Sequence, residues 1–152
     1  MITKTLRQDI SKAFTRFYVR YLRVVRKYDI APHCRISWRA TLDRANPKGV
    51  HIGDYSRVML DVLIIAHDFS RGLYHDMWLD TRIGHHCVIG GRSIILPGVT
   101  LGNHVFVAAG SVVTKDFPDN CMIAGNPARI VRRGTVMNDR TQIQEKGELV
   151  KE

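Results

Sequence analysis

From Ile83 onward every sixth residue is aliphatic: Ile83, Ile89, Ile95, Leu101, Val107 and Val113. With about a quarter of the chain Ile, Leu or Val, six such hits in a row arise by chance roughly 3 times in 10,000 per phase, so the pattern has a structural cause. The fourth residue after each is small or medium (Cys87, Ser93, Val99, Val105, Ser111), with Phe117 the exception, and Gly84, Gly90 and Gly102 follow three of the aliphatics. The same phase runs earlier through Ile52, Val58 and Ile64 and, after a four-residue slip, through Ile30, Ile36 and Leu42. Six is the period of neither a helix nor a strand. It suits an all-β solenoid of triangular section, in which each hexad gives one short strand, the aliphatic fills the interior and the small residue sits at a tight corner. Glycine is expected there for its backbone freedom. Three hexads close a coil, so the placed hexads predict about four coils, each needing a neighbour to bury its core.

The first segment follows a different period. Leu6, Ile10, Phe14, Phe17, Tyr18, Tyr21, Leu22, Val25 and Tyr28 recur at spacings of three and four, which predicts an amphipathic helix over about residues 3–28, ended before Pro32. Residues 1–30 hold eight basic groups against two acidic ones, whereas the other 122 residues carry 15 against 12, so the net charge of +9 belongs mainly to this segment. Its apolar face is expected to cap the first coil; contact with an anionic membrane surface through residues 3–28 is the other reading. No motif for nucleic acid accompanies the charge, and no nucleic-acid partner is expected. No apolar stretch is long enough to span a bilayer, and no secretory leader opens the chain, which together predict a cytoplasmic protein or one peripheral to the inner face of a membrane. Cys34, Cys87 and Cys121, odd in number and widely spaced, fit reduced thiols. Residues 134–152 are polar and predict a tail or a short loose helix.

The run IGHHCVIGGRSIILPGVTLGNHVFVAAGSVVTKDFPDNCMIAGNPARIVR, and within it PGVTLG, AAGSVVTKDFP and AGNPARIVR, resembles the hexapeptide-repeat acyltransferases. The likeness extends over about residues 30–133 and is closest to the sugar O-acetyltransferase branch, alongside galactoside and maltose acetyltransferases. It implies a left-handed parallel β-helix, a homotrimer, acetyl-CoA as co-substrate with no metal, and a sugar or oligosaccharide acceptor in surface polysaccharide or lipopolysaccharide synthesis. By the same likeness Ala109 matches a backbone contact to the pantetheine arm. Thr114, Lys115, Arg129 and Arg132 match positions near the phosphates of coenzyme A, where cations suit the ligand. Gly91 stands where the galactoside enzymes have a serine; a backbone N–H remains there, a side-chain contact does not.

The repeat breaks after Ile64, and the break places a loop insertion at about residues 68–82 with His67 at its entrance. Transfer of an acyl group to a hydroxyl needs a base that titrates near neutrality, which histidine supplies, and an N–H donor for the oxyanion. His67 matches the family's histidine at the start of such a loop and is the expected general base. Within the loop Tyr74, His75 and Trp78 are expected to contact the acceptor; the alternative is that Phe69, Leu73, Met77 and Trp78 pack against an adjacent subunit. Asp43 and Asn46, in TLDRANPKG, are further acceptor candidates, though both residue types are also common in turns. His86 and His104 lie 18 residues apart, one coil, and are expected to stack at one corner. Three alternatives stand beside an O-acetyltransferase: an amino-sugar N-acetyltransferase, a zinc enzyme of the γ-carbonic anhydrase kind using His67, His86 and His104, and a non-catalytic scaffold.

Overall fold

A computed structural model describes residues 4–72 and 76–150, with side chains from residue 9 onward. A helix, α1 (Lys4–Val24), precedes twelve short strands. The first coil holds β1 (Asp29–Ile30), β2 (Arg35–Ile36) and β3 (Thr41–Leu42), and the second β4 (Val50–Ile52), β5 (Arg57–Val58) and β6 (Leu63–Ile64). The third holds β7 (Thr81–Ile83), β8 (Val88–Ile89) and β9 (Ile94–Ile95), and the fourth β10 (Thr100–Leu101), β11 (Phe106–Val107) and β12 (Val112–Val113). Each strand pairs in parallel with the strand three further on. The chain therefore visits three sheets in turn, β1-β4-β7-β10, a second that begins β2-β5-β8-β11, and β3-β6-β9-β12.

The register explains the period of six. In the first sheet Ile30, Ile52, Ile83 and Leu101 stand side by side. In the second Ile36, Val58, Ile89 and Val107 do so, and in the third Leu42, Ile64, Ile95 and Val113. All twelve are buried in one core. Each adds roughly 1.5–3 kcal/mol of hydrophobic stabilisation over an exposed side chain. The corner residues four places later are buried as well, and the polar ones bond to a neighbouring carbonyl: Ser56 Oγ to Gly84 O at 2.7 Å, Cys87 Sγ to Gly102 O at 3.1 Å, and Ser93 Oγ to Ala108 O at 3.0 Å.

The glycines that directly follow the aliphatics serve the corners for a different reason from the one expected. The left-handed backbone falls two residues later, at Tyr55, Asp61, His86, Arg92 and His104, with φ between 55° and 61°. Gly84 and Gly90 are instead demanded by close stacking, since a Cβ at Gly84 would lie 2.5 Å from Gly102 O and one at Gly90 2.5 Å from Ala109 N.

Both ends depart from expectation. The helix stops at Val24, and Tyr28, having left it, turns inward so that its hydroxyl donates to Leu42 O (3.2 Å) and Asp43 O (2.9 Å). α1 lies on β1 and β2 and buries Val19 and Leu22, so it does cover the first coil, but with one face only; Ile10, Phe14, Phe17, Tyr21 and Val24 point away. At the other end the last coil is followed by further strands, three short ones of them within the expected tail. β13 (Cys121–Gly125) continues the second sheet, and β14 (Ala128–Arg133) pairs with it antiparallel across a cis Asn126–Pro127 bond. β15 (Val136–Met137) and β16 (Ile143–Glu145) form a hairpin, and β17 (Glu148–Leu149) pairs with β14. The insertion is bounded by β6 and β7, so Thr81 and Arg82, expected in the loop, belong to β7.

Candidate active site

Both interruptions of the repeat fall at the corner between the third sheet and the first, one coil apart. The first, after β3, carries Asp43 and Asn46 and a single 3-10 turn, Pro47–Gly49. The second, after β6, carries His67. Because Leu42 pairs with Ile64, the residues that follow each of them meet.

The base of the second loop closes as a short antiparallel neck. His67 and Trp78 form a bridge, Asp68 N–H donates to Met77 O at 2.8 Å, and Leu79 N–H to Ala66 O at 3.0 Å. Asn46 holds this neck from the coil below: its Nδ2 donates to Ala66 O (2.8 Å) and Leu79 O (3.3 Å), while its Oδ1 accepts from Gly49 N–H (3.2 Å). With its amide engaged on both sides, Asn46 is a positioning residue and not the acceptor ligand expected of it.

Asp43 is likewise corrected. Its side chain is 1% exposed, out of reach of an acceptor. One oxygen accepts from Ala45 N–H (2.9 Å) and Asn46 N–H (3.1 Å), the other from Ala66 N–H (2.6 Å) and His67 Nδ1 (2.5 Å). Burial alone would raise the Asp43 carboxyl, but the donors from Ala66, His67, Asn46 and Ala45 together outweigh it and hold it below its ordinary range. An ionised Asp43 accepts only, so the neutral form of His67 carries its proton on Nδ1 and leaves Nε2 as a lone pair. The imidazole remains 23% exposed, between the edge of Phe69 at 4.8 Å and Trp78 at 6.4 Å between ring centroids. Phe69 was expected only as a residue that packs against an adjacent subunit; its place two residues after His67, at the mouth of the insertion, is the signal that sets it beside the imidazole. Tyr74 and His75 lie outside the described residues.

The residues matched to coenzyme A occupy other places. Gly91 and Ala109 lie at the corner between the second and third sheets, in adjacent coils, with Gly110 beside them facing open space at φ 73°. They make a strip nearly free of side chains that continues downward into exposed Leu60 and Trp38. Thr114 and Lys115 follow β12 on the same corner as His67 but two coils away, and Lys115 Nζ stands 5.8 Å over the Phe117 ring. Arg129 and Arg132 are on β14, where Arg129 donates to Ala128 O at 3.0 Å and Arg132 to Gly147 O at 3.2 Å. One chain therefore joins His67 to Asp43, Asn46 and Trp78, but not to Gly91 and Ala109. A whole side of the prism lies between those corners, on the order of 15–20 Å for six extended residues.

His86 and His104 stack as expected, 4.9 Å between centroids, in a column that continues through Tyr55 to His33. That column stands at the corner between the first and second sheets. His86 Nε2 meets Asp139 at 2.9 Å and His104 Nδ1 accepts from Met137 N–H at 3.2 Å, so both face the C-terminal segment and not His67. Within one chain the three histidines proposed for zinc do not converge.

The strands and corners define a protein built on the hexapeptide repeat, and residues 80–115 match the hexapeptide repeat of succinyl-transferases. The chain is 34% identical to the Bacillus subtilis (strain 168) protein YvoF over 95 residues, 62% of this chain and 54% of that one. It is 47% identical to the galactoside O-acetyltransferase of Escherichia coli (strain K12) over 58 residues, 38% of this chain and 27% of that enzyme. Among solved structures it superposes on a hexapeptide-repeat acetyltransferase of Vibrio cholerae complexed with acetyl coenzyme A, with a TM-score of 0.60 and 29% identity over 68% of this chain and 58% of that one. In repeat, coils and likenesses the chain is similar to the hexapeptide-repeat acetyltransferases. It spans about half the length, or less, of the curated relatives it matches.

Proposed function

We propose that this protein transfers the acetyl group of acetyl-CoA to a hydroxyl of a sugar, with His67 as general base, on a β-helix wound left-handed like those of its relatives. The observation that carries this reading is the buried Asp43 carboxylate behind an otherwise accessible imidazole, which fixes the tautomer with Nε2 free. In the step, Nε2 takes the proton of the acceptor hydroxyl as its oxygen attacks the thioester carbon. The tetrahedral intermediate then collapses, the C–S bond breaks, and the departing thiolate takes that proton back, leaving neutral His67 and free CoA thiol. No covalent enzyme intermediate is needed when both substrates are bound together.

The site requires copies of the chain. A ring of three sets the Gly91–Ala109 strip of one protomer against the His67 corner of the next, joining two places that one prism keeps apart. The strip then offers exposed backbone to the pantetheine arm and an N–H to the oxyanion, while Thr114, Lys115, Arg129 and Arg132 bring cations and hydroxyl toward the phosphates. Phe69 and Trp78 flank the point of attack with exposed rings suited to a sugar face. The acceptor is taken to be a surface polysaccharide or lipopolysaccharide unit on the cytoplasmic side, a setting that agrees with three free, buried cysteines.

The test is release of CoA thiol from acetyl-CoA across free sugars, amino sugars, nucleotide sugars and oligosaccharides. The reading expects release with a hydroxyl acceptor and its loss in His67→Ala. Release confined to amino acceptors makes it an N-acetyltransferase, and unchanged release in His67→Ala removes His67 as base.

A further inference from the structure

Of the apolar residues of α1, only one set is used by the fold. Val19 and Leu22 are buried on the first coil, with Tyr18 partly buried beside them. Ile10, Phe14, Phe17, Tyr21 and Val24, at spacings of four, three, four and three, form a second stripe on the outer side of the helix, with Phe17 70% exposed. At 100° per residue this stripe lies across the helix from the buried set, so packing on the coils cannot cover both.

The charges beside it are one-sided. α1 contains six basic residues and one acidic residue, Asp9, which meets Lys12 at 3.4 Å. By helical geometry Arg20 borders the stripe, and Arg16 and Arg23 lie between it and the buried face; all three are exposed. No helix among the described residues is long and apolar enough to cross a membrane.

We propose that the outer stripe of α1 docks this protein on an anionic phospholipid surface, the helix lying in the interfacial plane with its aromatic side chains among the acyl chains and its arginines at the phosphates. Charge favours lipid over a second copy of the chain: pairing two such helices would bring like charges together, whereas an anionic surface neutralises them at about 1 kcal/mol per basic residue. Phe, Tyr and Ile beside a basic edge are the residues that such interfacial helices use. Because α1 covers the first coil and His67 leaves the second, docking would hold the His67 loop within two coils of the surface. This inference stands independently of the acetyl-transfer reading.

The experiment is co-sedimentation of the full chain with vesicles of phosphatidylcholine alone and with 30 mol % phosphatidylglycerol. Binding is expected to the anionic vesicles at low salt, to be at least about tenfold weaker for phosphatidylcholine or in high salt, and to be lost in Phe14→Ser/Phe17→Ser. Arg16→Gln/Arg20→Gln should weaken it by roughly tenfold. Both pairs are exposed, and unchanged thermal melting confirms that the variants fold. Failure of the wild type to sediment with anionic vesicles, or equal binding by the Phe14→Ser/Phe17→Ser variant, overturns the proposal. So does a smaller native mass in that variant, which would make the stripe a contact between copies.

Discussion

His67 Nδ1 lies 2.5 Å from the carboxylate of Asp43, a residue 24 positions earlier in the chain. The proposed base and the carboxylate that would orient it come from two different coils, and their contact depends on the register between β3 and β6. His67→Ala is expected to lower kcat by about 10²–10⁴-fold. Asp43→Asn keeps an oxygen for the backbone donors but loses the charge behind the imidazole, so kcat should fall by roughly 10–100-fold with KM for acetyl-CoA little changed. Steady-state thiol release measures both; a fall in Asp43→Asn expressed only in KM would contradict the positioning role.

The same carboxylate should shape acid stability. Its folded pKa lies below the unfolded one, so its contribution is present above about pH 4 and is lost as pH falls through the folded value. At pH 7 the wild type should exceed Asp43→Asn by about 1–3 kcal/mol, and the two should converge in strong acid. Denaturant midpoints across the pH range check this; a gap that widens on acidification reverses the sign and defeats it.

Asn46→Ala removes the amide that joins Ala66 O and Leu79 O, and should cost about 1–2 kcal/mol. The loss is expected to be local. Hydrogen exchange should accelerate at the Asp68 and Leu79 amides, which close the neck, while amides of the fourth coil keep their protection.

The two kinds of corner glycine can be told apart by alanine. Gly90→Ala drives a Cβ into the backbone of the next coil, 2.6 Å from Val107 O, and should destabilise by at least about 2 kcal/mol. Gly110→Ala meets no neighbour and pays only for its left-handed backbone, about 1 kcal/mol. Equal melting temperatures for the two variants would refute this division.

Burial pushes the thiols of Cys34 and Cys87 up to about 12 and that of Cys121 to about 11, so all three stay protonated at pH 8. An aromatic disulfide reagent should leave them unmodified in the native protein and titrate three on unfolding. Rapid modification of any one of them in the folded chain would contradict the packing.

The coils were legible because each aliphatic of the period stands beside its equivalents in the adjacent turns, even where the spacing slips, as from Leu42 to Ile64. His67 was legible because it opens the longest interruption. Asp43 was seen but misread, since an acid in a turn looks alike whether it faces solvent or a buried histidine. The phase itself held the clue: Asp43 follows Leu42 as Ile65 follows Ile64, which sets it beneath the approach to His67. The direction of the α1 faces could not be read, because spacing reports that a side is apolar and not whether anything covers it. The strands after Arg133 were missed because pairs of two or three residues leave no period to detect.

Ile52 and Ile83 remain partners in register although an extra segment of chain leaves and re-enters the stack between them. A detour of that kind costs the neighbouring coils nothing, and its length is free within wide limits. If that segment recognises the acceptor as proposed, scaffold and recognition element can change at different rates: a lineage can rewrite what the protein modifies by substituting one corner excursion while inheriting the rest unaltered. A transplant of the segment between β6 and β7 from a relative with another acceptor is the natural route to redirecting it.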